Sequence, residues 1–205
     1  MTTRLLLIRH GAPHDDGRGR CYGSLDIGLS DVGRRQSEAL AARLEDAPIS
    51  LVVSSPRARA KETAAALGRD ARIDERLSEL DFGDLEGRRF EEIEREQPDL
   101  YRRWMTEPTR VRFPGGEGFE DVRSRTGAAI SELVNSPGDG AIAVVTHAGV
   151  VRAALADALG LPSERIFRFD VGYCRVTVVD WFDGTPVIRM VNGGGDLPDA
   201  QLAAG

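Results

Sequence analysis

The sequence predicts an α/β protein built as a three-layer sandwich, in which a mainly parallel central sheet is flanked by helices. Apolar runs without polar alternation are typical of strands that are covered on both faces, and helical patterns lie between them, as in parallel sheets. The runs are Leu5 to Ile8, Leu51 to Val53 and Ile142 to Val145. Because 205 residues can form one hydrophobic core, we expect a single domain over residues 1–192.

Helices are predicted where a start signal, an apolar face and a stop signal follow one another. Ser30 can cap the first helix, and one side of this helix carries Val32, Ala39, Leu40 and Leu44. The other predicted helices run from Ser55-Pro56 to Leu67, from Phe119 to Val134 and from Val150 to Leu159.

The C-terminal part of the chain predicts a hairpin. Asp183-Gly184 is a strong signal for a two-residue turn, and it separates two strand-like segments, Arg175 to Trp181 and Val187 to Val191. The edge of this hairpin near Trp181 could pair with a second copy, so a homodimer is one expectation. Residues 193–205 are rich in Gly, Ala and Asp, which predicts a frayed tail.

Residues 81–118 interrupt the regular alternation. They predict short helices that are broken at Pro98 and Pro108, followed by a Gly-rich turn. Such an excursion forms either a lid-like wall over a site or a packed surface subdomain. The sequence leaves both interpretations open.

Composition argues against several classes of protein. A formal net charge of −6 disfavours binding to nucleic acid or to an anionic membrane. The first apolar run is too short for a signal peptide or a membrane span, which predicts a cytoplasmic protein. Cys21 and Cys174 lack the spacing of metal ligands and are compatible with reduced thiols.

Two of the three histidines follow predicted strands. His10 comes after LLLIR and His147 after IAVVT, whereas His14 stands in a loop. Ligands gather at the carboxyl ends of parallel strands, so we expect His10 and His147 to face one crevice. A pair of histidines could also bind zinc or iron, but Arg9 adjoins His10 and would repel a divalent cation.

Positive charge beside these histidines favours phosphate instead, because a guanidinium can bind two phosphate oxygens at once. A second basic segment, SSPRARAKETAAAL, begins a helix whose N-terminus also attracts anions. Arg57 and Arg59 cannot both point the same way from this helix. The residues alone do not decide which of the two faces the site.

Four motifs in this order resemble those of the histidine phosphatase superfamily, the phosphoglycerate mutase-like proteins. They are LLLIRHG, SSPRARAKETA, LSELDFGDLEG and VVTHAGVVR, and the similarity extends from about Leu5 to Asp180. The resemblance implies the phosphoglycerate mutase-like form of the predicted fold. It also implies a phosphatase that acts on a small phosphomonoester through a phosphohistidine, with no metal and no other cofactor.

The resemblance further implies a role for each matching residue. Arg59 becomes the second phosphate-binding arginine, which leaves Arg57 on the surface. Gly11 would let the backbone come close to the phosphate. The implied site is His10 as nucleophile, Glu79 as proton donor, Arg9 and Arg59 as phosphate-binding residues, and His147 as both a catalytic and a phosphate-binding residue.

This sequence departs from the family pattern after RHG. Ala12 and Pro13 replace a Glu-Thr pair, and Asp16 stands where an asparagine would contact the phosphate. A carboxylate would repel phosphate, so either Asp16 turns away or a backbone N–H or Ser24 supplies the missing donor. Leu85 replaces a common tryptophan, which should alter packing rather than chemistry.

Two further segments, GRCYGSLDIGLSDVG and FPGGEGFEDVRSR, resemble α-ribazole phosphatases of cobalamin biosynthesis. The resemblance therefore implies α-ribazole 5′-phosphate as a substrate, with Tyr22 as a further candidate for contact with it. The alternatives are a broad-specificity, sugar-phosphate or phosphoglycerate phosphatase, a phosphoglycerate mutase, and a phosphate-binding protein without catalysis. Retention of both His10 and Glu79 favours an enzyme.

Overall fold

A computed structural model, which describes residues 2–136 and 138–194, contains one six-stranded sheet with the strand order β3-β2-β4-β1-β5-β6. The strands are β1 (Thr2–Arg9), β2 (Ile49–Ser54), β3 (Ala71–Ile73), β4 (Ala141–Thr146), β5 (Val176–Phe182) and β6 (Thr185–Gly193). Strands β1 to β4 pair in parallel, whereas β5 and β6 are antiparallel additions. The predicted mainly parallel sheet is confirmed.

The described residues form six α-helices, of which α1, α2, α5 and α6 cover the sheet: α1 (Asp31–Arg43), α2 (Ala58–Ala66), α3 (Phe90–Glu96), α4 (Pro98–Thr106), α5 (Phe119–Val134) and α6 (Ala148–Ala158). Alternate residues of β1 explain the three layers. Leu5 and Leu7 belong to a core formed with α5 and α6, and Leu6 and Ile8 belong to a core formed with α1 and α2. Because both faces are covered, this strand needs no polar residue between its ends.

Helix α1 begins as predicted, because the Ser30 hydroxyl accepts a hydrogen bond from the Gly33 N–H at 3.1 Å. The predicted apolar face is partly wrong. Leu40 and Leu44 are buried, but Val32 is 50% exposed and Ala39 also faces solvent. Gly33 and Ser37 occupy the buried face instead, since this helix packs close to the loop that follows β1.

Helix α2 begins later than predicted. Its N-cap is Arg57 rather than Ser55-Pro56. Ser55 instead continues the sheet, because its N–H donates a hydrogen bond to the carbonyl oxygen of Val145 at 3.0 Å. The Ser55 hydroxyl is hydrogen-bonded to His147. The helix ends at Leu67 as predicted, with Gly68 at a φ of +67°.

The predicted hairpin is confirmed, with φ values of +47° at Asp183 and +86° at Gly184, as a two-residue turn requires. Gly193 belongs to β6, so the tail does not begin where it was expected. Residues 195–205 of that prediction lie outside the described residues. Strand β6 forms the sheet edge, and Trp181 lies on the inner strand β5 and is 9% exposed.

Residues 81–118 satisfy both interpretations of the excursion. Helices α3 and α4 pack around a separate apolar cluster, and the same segment also forms one wall of the site described below. The buried residues of the cluster are Cys21, Leu85, Ile93, Val111 and Phe113. In the described part of the chain, no helix has the length and apolar character needed to cross a membrane.

Candidate active site

The carboxyl ends of the three central parallel strands β1, β2 and β4 meet at one edge of the sheet. Arg9 and Thr146 are paired at the ends of β1 and β4, so His10 and His147, the next residues, lie side by side. Their ring centroids are 5.1 Å apart, with the planes inclined by 62°. The structure thus brings together the two histidines that the sequence placed at equivalent strand ends.

The tautomer of His10 follows from its hydrogen bond. Nδ1 lies 2.7 Å from the carbonyl oxygen of Gly11, and a carbonyl only accepts, so Nδ1 carries the proton and Nε2 holds a lone pair. The ring is 3% exposed. Burial, together with the positive charges of Arg59 and Arg9, lowers the pKa of His10 well below 6.5. His10 is therefore neutral near pH 7, as a nucleophile must be.

Gly11 is required for the packing of the turn after β1 against α1. A Cβ at this position would lie 2.6 Å from the carbonyl oxygen of Gly33 in α1. The Gly11 N–H donates to the Thr63 hydroxyl of α2 at 2.9 Å. The turn after β1 is thus held by both helices on that face of the sheet.

His147 is completely buried and has one hydrogen-bonded nitrogen. Its Nε2 lies 2.8 Å from the Ser55 hydroxyl, while Nδ1 has no hydrogen-bond partner among the described residues. Burial lowers the pKa of His147 well below 6.5, and the nearby His10 and Arg59 lower it further. His147 is therefore a neutral ring beside His10, and its buried Nδ1 has no hydrogen-bond partner among the described residues.

Backbone carbonyls hold the guanidinium groups of Arg9 and Arg59 next to the two histidines. Arg9 donates from Nη1 to Val171 at 2.6 Å and lies 3.8 Å above the ring centre of Tyr173. Arg59 is fully buried and donates to Leu25 and Gly23, each at 2.9 Å. The Nε atoms of both arginines are buried and have no hydrogen-bond partner in the described chain.

The structure distinguishes Arg57 from Arg59. Arg59 lines the cavity between the strand ends, and Arg57 does not. Arg57 is partly exposed, and its Nε is buried without a hydrogen-bond partner in the described chain.

Glu79 lies on the loop after a short 3₁₀ turn, Glu75–Leu77, and also faces the cavity. Its Oε1 accepts a hydrogen bond from Leu80 N at 3.0 Å, and its Oε2 accepts one from Gly149 N in the first turn of α6 at 3.3 Å. A Cβ on Gly149 would lie 2.3 Å from the carboxylate. A glycine at this position therefore allows Glu79 to reach the helix N-terminus.

The cavity has a volume of about 270 Å³ and two chemically different sides. Arg9, His10, Arg59 and Glu79 form the polar side, and Tyr22 also lines the cavity. Most of the other lining residues are apolar or aromatic, and Arg20 and Arg152 also line the cavity; the apolar and aromatic residues include Leu80, Phe82, Phe90, Trp104, Pro108, Ile166 and Phe167. The site therefore joins an anion-binding end to an apolar chamber.

The positions that depart from the family pattern lie outside the cavity. The Asp16 side chain is 80% exposed and contacts Nδ1 of His14 at 3.0 Å, so this carboxylate turns away from the site. Ser24 does not line the cavity either, and its N–H donates to Glu86 at 2.8 Å. Neither Asp16 nor Ser24 lines this cavity.

Sequence reasoning missed several residues that shape the site. Arg152 in α6 and Arg20 line the cavity, Ser55 contacts His147, and Tyr173 contacts Arg9. Arg152 lies five residues after His147, which a search for basic residues on the helix after the strand could have found. Tyr173 gave no such signal, since it comes from a loop far along the chain. No group of three or more potential metal ligands is present among the described residues.

A histidine with a lone pair on Nε2, flanked by arginines and a second histidine at the ends of parallel strands, is an arrangement suited to binding and transferring a phosphoryl group. A sequence model described as "Histidine phosphatase superfamily (branch 1)" matches residues 5–193. The chain belongs to the histidine phosphatase superfamily, and the resemblance noted in the sequence is confirmed.

Individual relatives carry different names. The chain is 35% identical over 201 residues to the "Bifunctional protein Rv2228c" of Mycobacterium tuberculosis, covering 95% of this chain but only 55% of that protein. It is 30% identical over 193 residues to phosphoserine phosphatase 1 of Hydrogenobacter thermophilus, covering 92% of each. The solved α-ribazole phosphatase from Shigella flexneri superposes with a TM-score of 0.87 at 28% identity, over 96% of this chain and all of the other.

Proposed function

We propose that this protein is a metal-independent phosphomonoester hydrolase that works through a phosphohistidine at His10. The observation that carries this proposal is the set of buried nitrogens around that ring. Nε of Arg9, Nε of Arg59 and Nδ1 of His147 lack partners in the described structure. Buried polar groups normally have a hydrogen-bond partner, and the oxygens of a phosphoryl group would supply three acceptors at once.

The first step is attack by His10. The lone pair on Nε2 forms a bond to phosphorus, and the bond from phosphorus to the ester oxygen breaks in line with it. Nδ1 keeps its proton and its hydrogen bond to Gly11, which stabilises the positive charge that develops on the ring. Arg9, Arg59 and His147 bind the equatorial oxygens and stabilise the transition state.

Glu79 donates a proton in the first step and accepts one in the second. An alkoxide is a poor leaving group, so a protonated Glu79 donates its proton to the departing oxygen and releases an alcohol. The carboxylate then accepts a proton from water while the water oxygen attacks phosphorus. The bond from phosphorus to Nε2 breaks, its electron pair returns to the ring, and inorganic phosphate and a protonated Glu79 result.

The apolar chamber supports an ester with an aromatic or apolar alcohol. Phe82, Phe90 and Trp104 can stack against a planar base, and one structural relative is named an α-ribazole phosphatase. α-Ribazole 5′-phosphate, which carries an aromatic base, is thus our first candidate. L-Phosphoserine, 3-phosphoglycerate and sugar phosphates are smaller and more polar, and they would contact this wall less.

The hydrolase is tested by trapping the phosphoenzyme. We expect acid-labile phosphate on the wild type and none on His10→Gln, with turnover unchanged by a metal chelator. His14→Gln is the matched control, because this histidine is exposed and lies outside the cavity. A wild type that forms no phosphoenzyme and hydrolyses no phosphomonoester would support the non-catalytic alternative.

Specificity is tested by kcat/KM for α-ribazole 5′-phosphate, L-phosphoserine, 3-phosphoglycerate and p-nitrophenyl phosphate. We expect the highest value for α-ribazole 5′-phosphate. Similar values for all four would identify a broad-specificity phosphatase. Interconversion of phosphoglycerates without net release of phosphate would identify a mutase.

A further inference from the structure

An arginine outside the cavity holds the loop that carries Glu79. Arg125 lies in α5 and donates from Nη1 to the carbonyl oxygens of Arg76 at 2.7 Å and Ser78 at 2.5 Å. Its Nη2 donates to the carbonyl oxygen of Glu79 itself at 3.1 Å. One guanidinium therefore binds three carbonyls within four residues of backbone.

The other side of this guanidinium is also engaged. Nε and Nη2 donate to the two carboxylate oxygens of Glu117, each at 2.9 Å, in a bidentate ion pair. The side chains of Arg125 and Glu117 are 18% and 24% exposed, so the pair is well shielded from water. Glu117 also accepts from Asp81 N at 3.1 Å, which fastens the other end of the same loop.

The end of β4 completes this arrangement. The Thr146 hydroxyl donates to the carbonyl oxygen of Leu77 at 2.7 Å, one residue before His147. Each carbonyl from Arg76 to Glu79 thus accepts a side-chain hydrogen bond, three of them from Arg125. Leu77 and Ser78 are buried, so their carbonyls need protein partners, and Arg125 provides them for Ser78 and for the residues on either side of this pair.

We propose that Arg125, with Glu117 as its partner, is a positioning residue that holds the Glu79 carboxyl at the leaving-group oxygen of the substrate. This inference rests on the proposed role of Glu79 as proton donor. Arg125 does not line the cavity and therefore acts through the backbone of Glu79. Proton transfer requires hydrogen-bond distance, and a displacement of about 1 Å can reduce a rate about 10²-fold.

The dependence on the leaving group separates positioning from general damage. p-Nitrophenolate leaves without a proton, whereas an alkoxide needs one. We would measure phosphoenzyme formation in a single turnover by quenched flow, using n-butyl phosphate and p-nitrophenyl phosphate. The readout for each variant is the loss of rate with each ester relative to the wild type.

We expect Glu79→Gln to slow phosphorylation by n-butyl phosphate about 10²-fold or more, and phosphorylation by p-nitrophenyl phosphate much less. Arg125→Lys should follow the same pattern with a loss of about 10-fold to 10²-fold for n-butyl phosphate, because lysine lacks the planar fork that binds carbonyls and carboxylate together. Glu117→Gln should show a smaller loss in the same direction.

Arg123→Gln is the matched control. Arg123 also lies in α5 and pairs with Asp157, but it binds no atom of the Glu79 loop. We expect this variant to react with each ester at the wild-type rate for that ester. Phosphorylation by p-nitrophenyl phosphate reports an intact fold and phosphate site, and if Arg125→Lys fails this check, Glu117→Gln decides in its place.

Two outcomes would overturn the inference in distinguishable ways. If Glu79→Gln shows the leaving-group dependence but Arg125→Lys and Glu117→Gln slow both esters equally or neither, positioning by Arg125 is wrong and the proposed function stands. If Glu79→Gln itself slows both esters equally, Glu79 is not the proton donor, and the proposed mechanism fails together with the positioning role.

Discussion

At the residue scale, burial and nearby charge determine the protonation of His10 and His147. Both rings are enclosed, and the arginines that would bind phosphate also disfavour a second positive charge on the imidazoles. In the proposed mechanism, the same surroundings would bind the anion and keep His10 neutral. Neither effect requires a metal ligand or a separate base to activate His10.

Direct titration tests this conclusion. Because the pKa values of both histidines are lowered well below 6.5, we expect ¹⁵N NMR to show His10 and His147 still neutral when the pH falls through 6.5. The urea-unfolded chain is the control, since its histidines should protonate near about 6.5. Protonation of His10 at or above pH 6.5 in the folded protein would contradict the account of its surroundings.

Gly149 gives a second prediction at this scale. Alanine there would place its Cβ 2.3 Å from Oε1 of Glu79, and the carboxylate is the end of a flexible side chain, so it moves away at little cost to stability. We expect Gly149→Ala to keep its Tm within a few degrees and to lose about 10²-fold in kcat with alkyl phosphates.

Gly127→Ala, in α5, is the control for this substitution. Its added Cβ would make an ordinary 3.4 Å contact with Asp157, and alanine favours helix in the same way at both positions. Unchanged alkyl phosphatase activity in Gly149→Ala would show that the position of the Glu79 carboxylate in this structure does not matter for the reaction.

At the scale of elements, the excursion of α3 and α4 contributes the apolar wall. Trp104 packs edge-on against Phe113 at 5.1 Å and against Phe90 at 5.6 Å between ring centroids, and it also lines the cavity. The aromatic cluster that stabilises the excursion therefore also lines the cavity. If the proposed function is correct, the same side chains contribute to packing and to substrate specificity.

Removing this side chain should affect large substrates selectively. We expect Trp104→Ala to raise KM about 10-fold for α-ribazole 5′-phosphate and to change KM for L-phosphoserine little. Leu100→Ala is the matched control, since Leu100 packs on the same cluster without lining the cavity. Equal effects of the two variants on both substrates would contradict a role of the wall in specificity.

At the scale of the whole molecule, the buried histidines link stability to pH. Their pKa values are lowered in the folded state, so the unfolded chain binds more protons once the pH falls below about 6.5. Their contribution to stability is complete above that pH and is lost as the pH falls toward the folded pKa values.

We expect the free energy of unfolding, measured with urea, to decrease between pH 6.5 and 5 by an amount on the order of 1 kcal/mol per pH unit for each histidine. His147→Gln should reduce this slope by about half relative to the wild type, and His14→Gln provides the comparison. A wild-type stability that rises over this range would be incompatible with two neutral, buried histidines.

The pattern of residues along the chain was sufficient for the main architecture. Apolar strands without polar alternation, the Ser30 cap and the Asp183-Gly184 turn predicted the layers and the hairpin. Each of these signals depends only on residues that are close together in the sequence. The three-residue strand β3 was missed because it contains no apolar run. The start of α2 was misplaced because Ser55 bonds to groups on β4 and to His147, which are distant in sequence.

The sequence by itself determined the family, the mainly parallel sheet and the positions of Arg9, His10, Arg59, Glu79 and His147 in the motifs. Only the tertiary structure decided how these groups are supported. It turned Asp16 outward, placed Tyr173 beside Arg9 and bound Arg125 to the Glu79 loop. Such contacts join residues far apart in the chain, and they depend on how close the folded layers bring them, which no local pattern records.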